Sequence, residues 1–96
     1  MVMPISVQVD FHANLQQIFG EKSVRITLGT PPTARNLLNI LCPSQERYNE
    51  IFDSSGNLRG DVKILRNGRN IVFLDGLDTQ LNNGDTIAIF PPVFGG

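Results

Sequence analysis

Ile5-Ser6-Val7-Gln8-Val9-Asp10-Phe11 alternates apolar and polar side chains without a break. A period of two sends successive side chains to opposite faces, so this stretch predicts a strand buried on one side. Ser23-Val24-Arg25-Ile26-Thr27-Leu28 repeats the pattern. The two segments predict neighbouring antiparallel strands, with a short helical turn between Ala13 and Phe19 that stops at Gly20.

Beyond the second strand, Gly29 to Pro32 breaks the alternation and Thr33 is placed to cap a helix. Ala34, Leu37, Leu38 and Leu41 then recur at helical spacing and form one apolar stripe. Pro43 ends that helix. Ser44 caps a shorter one in which Tyr48, Ile51 and Phe52 share a face, and the polar turn Asp53 to Asn57 reads as the most flexible loop. Val62 to Arg66 and Arg69 to Phe73 flank Asn67-Gly68, whose residues tolerate the positive φ of a tight hairpin. That hairpin sets Arg66 opposite Arg69 and Ile64 opposite Ile71. Asp75 to Leu81 reads as an irregular connection with a single helical turn, Asn82 to Asp85 as a turn, and Thr86 to Phe90 as the last strand. Pro91 and Pro92 lack the N–H a sheet requires, so the sheet stops there.

The order strand, strand, helix, short helix, hairpin, strand is satisfied by one mixed sheet curled around one main helix. This is a β-grasp arrangement of the α+β class. Its last strand lies centrally, which fixes the base of a C-terminal tail running from about residue 91.

At 96 residues the chain has material for one hydrophobic core, so residues 1–96 are expected to form a single domain ending in that tail. A net charge of −1 gives no reason to expect nucleic acid or an anionic membrane as partner. One cysteine, Cys42, excludes an internal disulfide and a cysteine-based metal cage. No apolar run has the length of a membrane span, and the N-terminus has no basic segment leading into an apolar one. The expectation is a soluble cytoplasmic protein.

Catalytic constellations are missing from the sequence. His12 stands alone at the end of the first strand and reads as a surface or edge residue. Cys42 closes an apolar helix stripe and reads as a small buried residue, not a nucleophile. Asp75, Asp78 and Asp85 punctuate turns, so no metal site is assigned to them. Neither phosphate-cradling glycine spacing is present, so nucleotide chemistry must come from a partner. Arg59, Lys63, Arg66 and Arg69 make the middle of the chain basic, either as a solvated sheet face or as a docking rim for an acidic partner. In the last strand Ile87 and Ile89 face the core, leaving Ala88 and Phe90 on the other side. Leu65 is out of phase with Val62 and Ile64 and reads as exposed. Phe90 and Phe94 then frame an apolar docking patch, unless Phe90 packs under a loop.

The chain closes on Gly95-Gly96. A diglycine presents the carboxylate on a thin stalk without side chains, able to thread a narrow channel into another protein's active site.

Asn67-Gly68-Arg69, the run from Leu81 to Val93 and the closing Gly95-Gly96 resemble the molybdopterin synthase small subunit family (MoaD) and related ThiS-like sulfur carriers. The match is weaker but consistent through the first strand and the helix after Thr33. The resemblance implies a ubiquitin-like fold and a protein that is a substrate and not an enzyme. It implies that an E1-like partner uses ATP and Mg to adenylate the Gly96 carboxylate, with no cofactor bound by this chain itself. Sulfur then replaces AMP to give a Gly96 thiocarboxylate, delivered to the molybdopterin synthase large subunit or another sulfur-acceptor enzyme. Gly95 keeps the channel clear of side chains. Leu65, Phe90, Pro91, Pro92, Val93 and Phe94 are the candidate partner-binding residues. Phe94 departs from the small residue usual before the glycine pair, and the segment from Ser44 to Asn57 is longer than in compact bacterial members. That length is similar to archaeal relatives and to sulfur carriers of cysteine biosynthesis, some of which are also joined to lysines of other proteins. A ubiquitin-like modifier conjugated through Gly96, a carrier for cysteine- or thiamine-type synthesis, and a binding module with an inert tail are the alternatives.

Overall fold

The computed structural model describes residues 4–91. Strand β1 (Ile5–Phe11) and strand β2 (Ser23–Leu28) pair antiparallel, with Val7 opposite Ile26 and Val9 opposite Val24. The short helix α1 (Leu15–Phe19) links them and stops at Gly20, whose φ of 81° is the left-handed cap that glycine adopts without strain. Helix α2 (Ala34–Leu41) begins where the Thr33 hydroxyl accepts the backbone N–H of Asn36. Ala34, Leu37, Leu38 and Leu41 are all buried, as one stripe at helical spacing requires. Ser44 caps helix α3 (Gln45–Ile51) in the same way through the N–H of Arg47. Tyr48 and Phe52 stack beside it with ring centroids 4.6 Å apart.

Strand β3 (Lys63–Arg66) and strand β4 (Arg69–Asn70) meet at Asn67-Gly68. Both turn residues have positive φ, 51° and 86°, the geometry of a type I′ turn whose twist matches the flanking strands. Arg66 does face Arg69, but Ile64 does not face Ile71. The Asn70 side chain accepts the N–H of Val72, bending the backbone into a 3-10 turn over Ile71–Phe73. Ile71 drops into the core with no exposed surface, while Val72 and Phe73 are left outside. A second 3-10 turn, Gly76–Asp78, supplies the single helical turn expected before Leu81. The Asp53 to Asn57 loop is tied down, since the Asp53 carboxylate accepts the N–H groups of Ser55 and Asn57.

Strand β5 (Thr86–Phe90) completes one sheet in the order β2-β1-β5-β3-β4. It runs parallel to β1 and antiparallel to β3, so it lies at the centre, as the element order predicts. Ile87 and Ile89 point to the helix side and are buried with Val7, Val9, Ile64, Leu37 and Leu38. Fully burying an aliphatic side chain of this size contributes about 1.5–3 kcal/mol, so this strand is held by packing as well as by two ladders. The architecture is an α+β β-grasp. No helix among the described residues is long and apolar enough to cross a membrane.

Candidate docking face and carrier tail

The side of the sheet away from the helices carries the candidate site. Directly opposed residues share a face, so the register puts Leu65 beside Ala88 and Lys63 beside Phe90. On the other flank Asp10 lies beside Ala88. Leu65, Ala88 and Phe90 are each half-buried, Lys63 is exposed, and Pro91 is buried. Leu65 is therefore less open than its phase suggests. Phe90 is half-buried against one residue of the connection that follows β1. It stacks on His12, with ring centroids 4.1 Å apart and planes 10° from parallel. The His12 backbone N–H also donates to the carbonyl of Ile89 at 3.1 Å, which fixes the imidazole over the ring. The base of the tail is thus an apolar strip, Leu65–Ala88–Phe90–His12, with Lys63 and Asp10 beside it. Pro92, Val93, Phe94, Gly95 and Gly96 lie outside the described residues.

At the other end of β5 the interactions are polar. The buried Asp85 carboxylate accepts Arg66 Nε at 2.7 Å, Asn67 Nδ2 at 2.9 Å and the backbone N–H of Asn82 at 2.8 Å. Burial by itself pushes this carboxyl's pKa upward. The Asn82 N–H, the Asn67 amide and the Arg66 guanidinium outweigh it and hold the group below its ordinary value. Asn67 also exchanges hydrogen bonds with Thr86, through its side-chain oxygen at 2.9 Å and its backbone N–H at 2.8 Å. The Asn83 side chain accepts the N–H of Ser6. These contacts lock the hairpin turn, the start of β5 and the start of β1 into one register.

This network changes the reading of the basic segment. Arg66 turns in to Asp85, and Arg59 pairs with Asp61 at 3.1 Å, so only Lys63 and Arg69 remain exposed without an ion pair among the described residues. Asp78 pairs with Arg35 at 3.5 Å. No cluster of three potential metal ligands occurs among the described residues. Cys42 is buried, and desolvation pushes its thiol up to about 11 against a smaller opposing effect of Arg47, so the thiolate is scarce at neutral pH. Two features escaped the sequence reading, the Asp85 network and the His12–Phe90 stack. The first leaves a trace in the sequence: a turn that runs Asn-Asn-Gly-Asp offers more polar side chains than its own backbone needs.

The fold is that of the ubiquitin-like sulfur carriers and small modifiers. The ThiS family matches residues 9–96, from the middle of β1 through Gly95-Gly96, and the chain belongs to that family. It is 30% identical over 92 residues to small archaeal modifier protein 3 of Haloferax volcanii, covering 96% of this chain and 100% of that one. The solution structure of small archaeal modifier protein 1 from Methanosarcina acetivorans superposes with a TM-score of 0.81 at 30% identity, over 99% of this chain and 100% of the other. A Pyrococcus furiosus chain named for molybdopterin converting factor, subunit 1, gives a TM-score of 0.70 at 28% identity, over 93% and 99% of the two chains.

Proposed function

We propose that this protein is a cytoplasmic sulfur carrier, itself not an enzyme, whose Gly96 carboxylate is the working group. A carboxylate is a poor electrophile. An E1-like enzyme using Mg·ATP joins it to AMP and releases pyrophosphate, which gives the carbonyl a leaving group. The terminal sulfur of a persulfide donor attacks that carbonyl and expels AMP. A second thiol cleaves the sulfur–sulfur bond and leaves the Gly96 thiocarboxylate. Gly95 and Gly96 thread the partner's channel, while Leu65, Phe90 and Pro91, followed by Pro92, Val93 and Phe94, seat the carrier against it. The sulfur goes to an acceptor such as the molybdopterin synthase large subunit.

The observation that carries this reading is the family match running through Gly95-Gly96, which four residues separate in the sequence from a central, doubly paired strand. A second reading is favoured by the relatives named small archaeal modifier proteins. In it the same adenylate, or the thioester that follows it, is attacked by a lysine amine of a target protein. Both readings share the activation step and part at the acceptor.

Intact mass after incubation with an E1-like enzyme, ATP, Mg and a persulfide donor tests the proposal, with a variant lacking Gly96 in parallel. Exchange of one oxygen for sulfur in the full chain alone establishes the carrier. Adenylate that forms isopeptide adducts but takes up no sulfur establishes the modifier in its place. No covalent change with a panel of E1-like enzymes overturns both.

A further inference from the structure

The most exposed large apolar groups among the described residues lie past the end of β4, separated from Phe90 by strand β3 and sharing only Lys63 with the face at the base of the tail. In the 3-10 turn after β4, Phe73 is 81% exposed and Val72 64%. Immediately beside them runs a groove of about 300 Å³, lined on one side by Leu58, Gly60 and Val62 and on the other by Ile71, Val72 and Leu77. A projecting aromatic ring and a vacant apolar groove thus share one edge of the molecule, the edge where β4 ends the sheet. A cavity of roughly 150 Å³ is enough to accept a benzene ring, so the groove has room for a phenyl side chain. A two-fold contact requires such a knob and its hole on the same patch, so that each copy fills the other.

The charges at this edge match in the same sense. Asp75, two residues beyond Phe73, is exposed and has no ion pair among the described residues. Lys63, at the rim of the groove, is also exposed and without one. A second copy that brought its Phe73 to the groove would bring its Asp75 toward Lys63. Opposite charges on knob and rim favour this pairing over a stray apolar contact.

We propose that the protein self-associates through this edge as a symmetric dimer, Phe73 of each copy seated in the groove of the other. The inference is independent of the chemistry at Gly96. Sedimentation velocity over a concentration series, on the full chain, tests it. Phe73→Ser removes the knob. Gly60→Leu fills the hole, since a Cβ at Gly60 meets nothing within 4 Å and the residue does not sit at positive φ. Both variants keep the wild-type circular dichroism spectrum. Each weakens dimerisation on the order of 30-fold or more, the usual effect of losing a central aromatic anchor. Mixing the two recovers a heterodimer, because the serine variant retains its groove and the leucine variant its phenylalanine. A wild-type chain that stays monomeric into the millimolar range overturns the proposal. So does a dimer that survives either substitution, or a mixture that shows no more association than its parts.

Discussion

The two ends of β5 are held by opposite means. At its start a buried carboxylate collects an arginine, an amide and a backbone N–H from three separate positions, the donors lying nearer the surface than their shared acceptor. At its finish an aromatic ring lies against an imidazole, half-open on the outer face of the sheet. Hydrogen bonds to a charge demand particular distances and angles, so the start of the strand fixes register. Aromatic stacking tolerates sliding and exposes area, so the finish is suited to meeting another surface. One strand therefore carries its precision where the chain enters the sheet and its adhesiveness where the tail begins.

The largest test of that contrast falls at the start. Asp85→Ala leaves Arg66, Asn67 and the Asn82 N–H without their shared acceptor. We expect a loss of about 2–3 kcal/mol in urea unfolding at neutral pH, below the full cost of breaking a buried pair because Arg66 can still reach water. The pH dependence follows from the depressed pKa of Asp85 in the folded protein. Its stabilisation is fully present above the ordinary carboxyl value of 3.8 and drains away as pH falls through the lower folded one. The gap between wild type and variant accordingly narrows on acidification below that value. A gap that stayed constant with pH would mean the carboxylate charge contributes nothing.

At the finish the balance reverses between stability and recognition. Phe90→Ala costs about 1–2 kcal/mol in the same unfolding assay, because the ring is only half-buried. In adenylation by an E1-like enzyme it raises KM at least tenfold, as loss of an aromatic anchor does. An unchanged KM would remove Phe90 from the docking face. His12→Ala has the smallest effect on stability, about 0.5–1 kcal/mol from the lost stack, read as a shift in urea midpoint without a change in slope. If His12→Ala destabilised as much as Asp85→Ala, the two ends would not differ as described.

Much of this arrangement was legible in the sequence. Alternation in Ile5–Phe11 and Ser23–Leu28, the caps at Thr33 and Ser44, and Asn67-Gly68 are local signals, each decided by residues within a few positions of one another. They gave the element order, and the order gave the β-grasp with β5 at its centre. Arg69 to Phe73 misled because its β-branched residues read as a strand. The deciding contact is a single side chain, Asn70, that bends the backbone before a third ladder pair forms. The site was legible in its apolar part, since the phase of β5 alone puts Phe90 outside. Its polar part was not. Asp85 and Arg66 stand 19 residues apart, and a lone aspartate in a turn gives no sign of which cation will fold onto it. Likewise His12 and Phe90 meet only because a parallel pairing brings distant strand ends together.

That parallel pairing also governs the order of assembly. Among the described residues, strand β5 is the sole bridge between the pair β2–β1 and the pair β3–β4. Before β5 pairs, the chain holds two ribbons with no strand to join them, each with an unsatisfied inner edge. Closure waits for β5, which must reach back across most of the sequence to pair with β1, a slow, long-range step. Only the finished sheet sets Phe90 and Pro91 in place, so the outer face of β5 exists only once both ribbons are joined.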